Sequence, residues 1–441
     1  MKTLTDFFET DFVNYASYDN LRKIASYIDG QKNASRKILY TVLEKNIKDK
    51  LKVSQLAAKV SEFAEYLHGS LDGVVVNLAQ DFPGTNNLPL LQKKGNFGTR
   101  FTPEASASRY IFTYGADIFF KLFKKEDCPV LISQTFEGDK IEPRFYVPTL
   151  PLILINGSEG ISSGFAQKIL PRSKKNILEA TKQVLTGKNP SAKLLVPYFE
   201  GFSGEVEAGD PGQWKIKGKF EQTSPNRITI TEIPVYCSLK TYIKVLEDLE
   251  EEGFINSFKD LSNEDKFKFE VKIPSKTLGS MSDDEILNKF KLVKLVTENF
   301  TCLDENNKIR EFKDAEEVLK AYADIKLKFL AARKEYLLKV LDNDITILKA
   351  KLKFITFMVK SGLKKSDLFS DKFLKEHLET GGYPRVSGSW DYLIKIPVGS
   401  LTTDKIAELK KQIQVKESEK ESLNVKSEKQ IWQEDLKTFK F

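Results

Sequence analysis

The stretch EASASRYIFTYG, residues 104–115, places an arginine directly before a tyrosine, between a run of small residues and an apolar pattern. Phe112, Ala116, Phe119 and Phe123 keep the spacing of one helical face,. If the helix through them runs back to Tyr110, that ring lies about 160° from the apolar stripe and faces away from the core. A tyrosine hydroxyl, with an ordinary pKa of about 10, becomes a useful nucleophile only beside a cationic or basic group. Arg109 is such a neighbour and can also hold a phosphate. An isolated Arg-Tyr pair suits a structural tyrosine as well, so a catalytic reading needs a constellation around it.

The 441-residue chain has room for two or three domains, and 41% hydrophobic with 11% aromatic residues supplies ordinary core material,. Lysine and arginine number 69 against 62 acidic residues, a formal charge of +7, which permits nucleic-acid binding without requiring it,. Cys128, Cys237 and Cys302 lie far apart with no CxxC pair, and His68 and His377 are the only histidines. That usage argues against a disulfide framework and against a zinc site. The start MKTLTDFFETDF has acids where a signal peptide needs an apolar core, and VPTLPLILI at 147–155 is short and broken by prolines. These features predict an intracellular, soluble protein with no membrane span.

The texture of the chain predicts an α+β multidomain organisation. Residues 1 to about 125 read as packed short helices, with Leu56, Val60, Phe63 and Leu67 in +4, +3, +4 steps and Leu71, Val75 and Leu78 continuing after His68-Gly69,. This pattern suits a helical DNA-binding domain and equally any helical core, and YLHG suits a helix end capped by glycine. From about 126 to 320 the chain holds β-rich runs such as RITITEIPVY (227–236) and FKFEVKIP (267–274) between Gly and Pro clusters, which predict a mixed α/β domain,.

In residues 321–441, Leu327, Ala331, Leu338, Leu341, Ile345, Leu348, Leu352 and Ile355 keep a 3/4 spacing that Lys334 alone interrupts,. Roughly 30 residues at ~1.5 Å rise make an arm of about 45 Å. Ile406, Leu409 and Ile413 restart the spacing within 401–425. The prediction is a long antiparallel coiled coil with a small globular tip at about 360–400.

Several segments, in order, resemble the breakage-reunion part of type IIA DNA topoisomerases, the gyrase A and eukaryotic topoisomerase II group. LRKIASYIDGQKNASRKILY (21–40) is similar to a family segment that carries Arg22, Asp29, Gly30, Lys32, Arg36, Lys37 and Tyr40, with Ala25 and Asn33 where prolines are usual. YLHGSLDGVVVNLAQDF (66–82) resembles the Y-H-x-H-G segment, Leu67 replacing one histidine and leaving His68. NNLPLLQKKGNFGTR (86–100) resembles the G-x-F-G-S/T-R loop, and ASASRYIFT (105–113) the A-A-A-x-R-Y-I-x-T catalytic strip. LPLILINGSEGISSGFAQKILPRS (150–173) is similar to the stretch whose isoleucine wedge falls here on Ile161. ITITEIPVY and the two arms carry the likeness nearly end to end, and Trp432, Asp435 and Leu436 lean toward the eukaryotic and phage branch.

The resemblance implies a winged-helix-type DNA-gate domain over 1–145, a mixed α/β tower domain with a DNA-intercalating hairpin over 146–320, and coiled-coil arms with a helical C-gate dimerisation tip over 321–441. It implies that Tyr110 attacks a phosphodiester of double-stranded DNA, once per strand from each member of a homodimer, so that another duplex passes through the break. Arg109, His68 and Arg22 are the family-matched residues around the phosphate. Lys32, Arg36, Lys37, Lys93, Lys94 and Arg100 are expected on the DNA backbone, with sequence-tolerant, salt-dependent binding. Ile161 is expected to enter the base stack.

In the family the magnesium-binding acids belong to a TOPRIM domain, a glutamate with a distant D-x-D. The only D-x-D here runs from Asp342 to Asp344 within the arm. No metal site is therefore expected in this chain: Mg2+ is to come from a TOPRIM partner, and ATP is to be used by an ATPase partner subunit. The end at Phe441 directly after the arm, without the DNA-wrapping domain of gyrase, predicts a likeness to the medium subunit of the T4-like bacteriophage enzyme, placed in host cytoplasm at DNA, or to a piece of a longer fused enzyme. A non-catalytic coiled-coil DNA clamp that keeps the same fold is the competing reading.

Overall fold

The chain leaves its first helices through a three-stranded antiparallel sheet in which Phe112–Gly115, the end of the 104–115 stretch, is the central strand. This is seen in a computed structural model, which describes residues 3–263, 266–361, 370 and 374–441. Two compact units make up the fold: one holds the chain through Lys326 together with Asp435–Phe441, the other Leu327–Glu434.

In the first unit, α1 (Val13–Lys23) and α2 (Asn33–Glu44) precede β1 (Leu51–Lys52), α3 (Val53–Phe63) and α4 (Asp72–Ala79). Ile38, Leu39, Val42, Leu56, Val60 and Val75 are fully buried where these helices meet. The helical stepping predicted through Leu67 stops earlier: the chain turns out of α3 at Ala64, Glu65 takes a positive φ of 48°, and Leu67 is 73% exposed. His68 thus sits on a loop between two helices rather than at a helix end.

The sheet has the order β1, β3 (Phe112–Gly115), β2 (Leu91–Lys94), with Leu51 opposite Thr113 and Lys94 opposite Phe112. This corrects the expected helix through Tyr110. Ile111, Thr113 and Gly115 are buried while Phe112 and Tyr114 are half-buried, the period-two alternation of a strand,. The helix α5 (Asp117–Leu122) starts only after Ala116, whose extended backbone separates it from the strand, and buries Phe119.

Farther along, β4 (Ser158–Ile161) and β5 (Ala166–Ile169) form a two-stranded hairpin. The runs around RITITE and FEVK are strands that pair antiparallel, Ile228 opposite Val271 and Ile230 opposite Phe269, in a four-stranded sheet. Tyr242 and Leu246 from the helix Leu239–Glu251 pack with Ile228, Ile230, Phe269 and Val271 into one core. Here the β-branched alternation of the sequence is decided by burial of one face.

A helix α6 (Ala315–Ser361) of 47 residues enters the second unit. It is longer than the predicted arm because its first turns are themselves core: Val318, Leu319 and Tyr322 are fully buried, and the Lys326 ammonium donates to the Val147 carbonyl at 2.9 Å. Within the second unit α7 (Thr403–Val425) runs antiparallel to it. Lys334 donates to the carbonyl of Lys426, Lys420 pairs with Asp342 at 2.5 Å, and Lys349 pairs with Glu417 at 2.6 Å, so rising numbers on one helix meet falling numbers on the other. Lys334 breaks the apolar seam without being stranded in it. Ile345, Phe354, Ile355, Leu409 and Ile413 are buried along that seam. Part of the predicted tip, 362–369 and 371–373, lies outside the described residues; Leu378 and Leu393 beside it are buried with Phe354 and Met358.

Candidate active site

Tyr110 stands at the end of the turn 108–110 that precedes β3, and the residue is 66% exposed. Strand parity puts it outward, with Ile111 next to it buried. The strip cannot wander, because the Val53 amide donates to the Ile111 carbonyl at 3.0 Å and the Ser106 amide to the Asn96 carbonyl at 3.0 Å. The loop before it is equally constrained. Gly98 has φ +85° and a Cβ there would lie 2.3 Å from the Pro103 carbonyl oxygen, so only glycine fits,. The Gln80 side-chain amide donates to the Phe97 carbonyl at 2.8 Å. The exposed Arg109 holds its guanidinium over the Tyr110 ring, 4.9 Å from the centroid,.

Arg22 and His68 are brought together by a residue that sequence reasoning passed over. The Tyr18 hydroxyl is hydrogen-bonded to Nε2 of His68, and the Arg22 guanidinium lies 5.6 Å from the Tyr18 ring centroid. Tyr66 packs edge-on to His68 at 6.0 Å. The signal for Tyr18 was present as an aromatic four residues before Arg22 on one helix. Among the described residues no hydrogen bond or ion pair joins Tyr110 to Arg22 or His68, so the chain presents two groups, Arg109-Tyr110 and Tyr18-Arg22-His68.

Ile161 ends β4 at 75% exposure on a hairpin fastened to α1. The Asp19 carboxylate accepts from the Ser163 amide and hydroxyl, both at 3.0 Å, and from the Ser162 hydroxyl at 3.1 Å. Lys23, then the hydroxyls of Ser163 and Ser162, hold the Asp19 carboxyl down at about 2 against the cost of its desolvation. The Gln167 side chain ties the returning strand to both backbone groups of Ala25, at 3.1 and 3.2 Å. At Gly160 a Cβ would lie 2.1 Å from the Lys23 carbonyl oxygen, so the hairpin and α1 touch backbone to backbone.

The sequence model of the gyrase A family, which covers DNA gyrase and topoisomerase IV, matches residues 22–437. The chain belongs to that family. Among its relatives, the mitochondrial DNA topoisomerase 2 of Dictyostelium discoideum is 32% identical over 99% of this chain and 35% of that protein. The DNA topoisomerase 2-alpha of Gallus gallus is 32% identical over 99% of this chain and 30% of its own length. The solved DNA-binding, cleavage and re-ligation domain of Plasmodium falciparum topoisomerase II superposes with a TM-score of 0.90 at 30% identity, covering 98% of this chain and 63% of that one. The chain thus spans about a third of the length of these relatives, both of which are eukaryotic enzymes.

Within this gyrase A-like chain most of the basic residues expected on DNA are otherwise engaged. Arg36 is buried and donates twice to Asp29, at 2.7 and 3.1 Å, and to the Gln31 carbonyl at 2.9 Å. Burial opposes its charge, and the Asp29 carboxylate more than restores it. Lys37 is buried on Glu142 at 2.8 Å. Arg100 is half-buried, paired with Glu232, bonded to the Ile233 carbonyl, and set between the Phe202 and Phe267 rings at 5.4 and 4.8 Å. These three are fold-holding cations, because each found a carboxylate in the core. Lys32 donates to the Glu159 carbonyl at 2.6 Å, and its burial lowers its pKa. Lys93 pairs with Asp81 at the surface, and Lys94 is exposed.

The metal expectation has a physical reading too. Among the described residues no group of three or more His, Cys, Asp or Glu converges. Asp342 and Asp344, the D-x-D of the sequence, face Lys420 at 2.5 Å and Lys416 at 3.5 Å, so they pair across the two helices and do not fit Mg2+. No described helix is long and apolar enough to cross a membrane.

Proposed function

We propose that this chain is the DNA cleavage-and-religation part of a type IIA topoisomerase, with Tyr110 as nucleophile. The carrying observation is an exposed tyrosine on a clamped strip with a guanidinium over its ring. The Tyr110 oxygen attacks phosphorus, the bond from phosphorus to the 3′ oxygen breaks, and that oxygen takes a proton to leave as a 3′-hydroxyl. The tyrosyl proton goes to a base, and His68 or solvent is the acceptor this site offers. One phosphodiester is exchanged for another, so the 3′-hydroxyl can reverse the step without ATP.

Arg109 lies where positive charge meets the crowded phosphorus of the transition state. Arg22 and His68, fixed by Tyr18, serve the phosphate through hydrogen bonds and charge. Ile161 slides between base pairs, trading stacking for a bend that wraps more DNA on the protein. Lys94, Arg109 and Lys93 carry backbone contacts in this reading, while Lys32 orients the hairpin.

The finer reading is a homodimer in which 1–145 acts as a winged-helix-type gate domain, 146–320 as a tower domain and 321–441 as coiled-coil arms with a dimerising C-gate tip. The sheet flanked by α2, α3 and α4, and the antiparallel pairing of α6 with α7, support it. Mg2+ and ATP belong to the TOPRIM and ATPase parts, on a partner chain as in the T4-like phage enzyme. The Asp342 and Asp344 ion pairs across the two helices are the reason this D-x-D is not assigned the metal.

The test is covalent trapping. Chain, ATPase/TOPRIM partner, supercoiled DNA and Mg2+ are mixed and denatured, and protein is sought on 5′ DNA ends. Trapping with the native chain and none with Tyr110→Phe is expected; trapping that survives Tyr110→Phe removes Tyr110 from the role. Binding without any trapping would favour the non-catalytic clamp.

A further inference from the structure

His68 sits on a loop whose backbone does little to hold it. Residues 67–70 are exposed, and among the described residues their backbone takes part in no backbone–backbone hydrogen bond. The imidazole is instead held by side chains. Tyr66 packs edge-on to it at 6.0 Å, and Tyr18 lies tilted against it at 5.9 Å with its hydroxyl on Nε2. Among the described residues His68 makes no other hydrogen bond or ion pair, so Nδ1 is left for a ligand.

A neutral imidazole carries one N–H and one lone pair, so a partner on one nitrogen decides what the other can do. If the Tyr18 hydroxyl donates to a bare Nε2, the ring proton sits on Nδ1. If Nε2–H donates to the Tyr18 oxygen, Nδ1 keeps the lone pair. Two observations favour the first arrangement. The Arg22 guanidinium lies 5.6 Å from the Tyr18 ring centroid, a positive charge that suits a phenol giving its hydrogen rather than receiving one,. The nitrogen left free belongs to an exposed residue in a group expected at phosphate, and a phosphate oxygen accepts from an N–H and repels a lone pair,.

We propose that Tyr18 is a positioning residue for cleavage. Its hydroxyl occupies Nε2 of His68, places the ring proton on Nδ1, and so makes His68 a hydrogen-bond donor to phosphate rather than the base for Tyr110. The proposal rests on the reading of Tyr110 as nucleophile. It leaves solvent to take the tyrosyl proton as the Tyr110 oxygen bonds to phosphorus. The Nδ1–H meets a non-bridging phosphate oxygen, where negative charge builds in the transition state.

Asparagine and glutamine separate the two nitrogens, because the amide nitrogen of asparagine stands where Nδ1 stands and that of glutamine where Nε2 stands. In the trapping assay with partner, supercoiled DNA and Mg2+, His68→Asn should cleave about tenfold or more faster than His68→Gln. Tyr18→Phe should slow the native chain about tenfold or more, yet slow His68→Asn by no more than about twofold, because the hydroxyl acts only through Nε2. Tyr18 is 45% exposed and loses one oxygen, so its melting temperature should stay unchanged,. Glutamine equal to or faster than asparagine overturns the proposal, as does equal slowing of both chains by Tyr18→Phe.

Nitrogen-15 spectra of the DNA-free chain give a readout apart from cleavage, since labelled histidine reports only His68 and His377. Neutral His68 should carry its proton on Nδ1 in the native chain and shift toward Nε2, the form free histidine favours, in Tyr18→Phe, with His377 unmoved. A proton on Nε2 in the native chain overturns the proposal. If trapping survives Tyr110→Phe while the spectra come out as expected, the cleavage reading falls and Tyr18 still sets the His68 tautomer. Trapping that depends on Tyr110, with the proton on Nε2, sinks the positioning role alone.

Discussion

Asp19 accepts hydrogen bonds from both the amide and the hydroxyl of Ser163, each at 3.0 Å, and so ties the hairpin tip beyond Ile161 to the helix that carries Tyr18 and Arg22. This carboxylate joins the Gln167 bonds to Ala25 and the Gly160–Lys23 backbone contact in fastening the expected wedge beside the expected phosphate site. Its carboxyl is held at about 2, below an ordinary 3.8, so it contributes stability that is fully present above 3.8 and lost as pH falls through about 2,. The advantage in melting temperature of the native chain over Asp19→Asn should therefore be constant near neutrality and vanish across that acid window. A gap that persists at the acid end would show that the carboxylate charge is not what holds the hairpin.

Arg36 and Lys94 separate two kinds of basic residue. Arg36→Ala leaves Asp29 buried without its bidentate partner and should cost about 3–5 kcal/mol, read by denaturant unfolding,. The exposed Lys94, changed to Ala, should leave stability within about 0.5 kcal/mol and lower the slope of log affinity against log salt by about 0.9 if it meets a phosphate,. Equal salt slopes for native and Lys94→Ala chains would remove it from the DNA surface.

Arg100 joins the loop before Tyr110 to the sheet that holds Glu232 and to the rings of Phe202 and Phe267. Small displacements of a reacting group cost rate steeply, on the order of 10²-fold per ångström. Arg100→Ala should accordingly lower the cleavage rate about tenfold or more with DNA affinity and its salt slope unchanged. Arg100→Lys, which cannot stack or bond in the same plane, should restore little of the rate. A fall in affinity matching the fall in rate would make Arg100 a DNA contact after all.

These cations show where sequence legibility ends. Arg36, Lys37 and Arg100 stand in motif positions that read as phosphate contacts, yet their carboxylates are 7, 105 and 132 residues away. A charge in a string carries no mark of a distant partner. The stretch 112–115 is ambiguous for the same reason: its apolar spacing suits a helix, and only pairing with Leu51–Lys52 and Leu91–Lys94 makes it a strand,. The outward placement of Tyr110 is legible beside its small neighbours, and that of Ile161 on a glycine-flanked hairpin, whatever role each residue has. Tyr18 is not, since its role lies in a contact with His68 fifty positions later.

Ile161 offers the cleanest separation of bending from binding. The residue is 75% exposed, so Ile161→Ala should leave the melting temperature within about a degree,. Unstacking a base step costs a few kcal/mol, which an apolar wedge offsets by occupying the gap. Without the wedge, DNA labelled with a donor and acceptor at its two ends should show less energy transfer on binding, while phosphate contacts keep the affinity within about tenfold. Cleavage should fall with the bend, because a straight duplex no longer brings its backbone to Tyr110. Energy transfer equal to that of the native complex would show that the hairpin does not enter the stack, and the bend would then have to arise from backbone contacts alone.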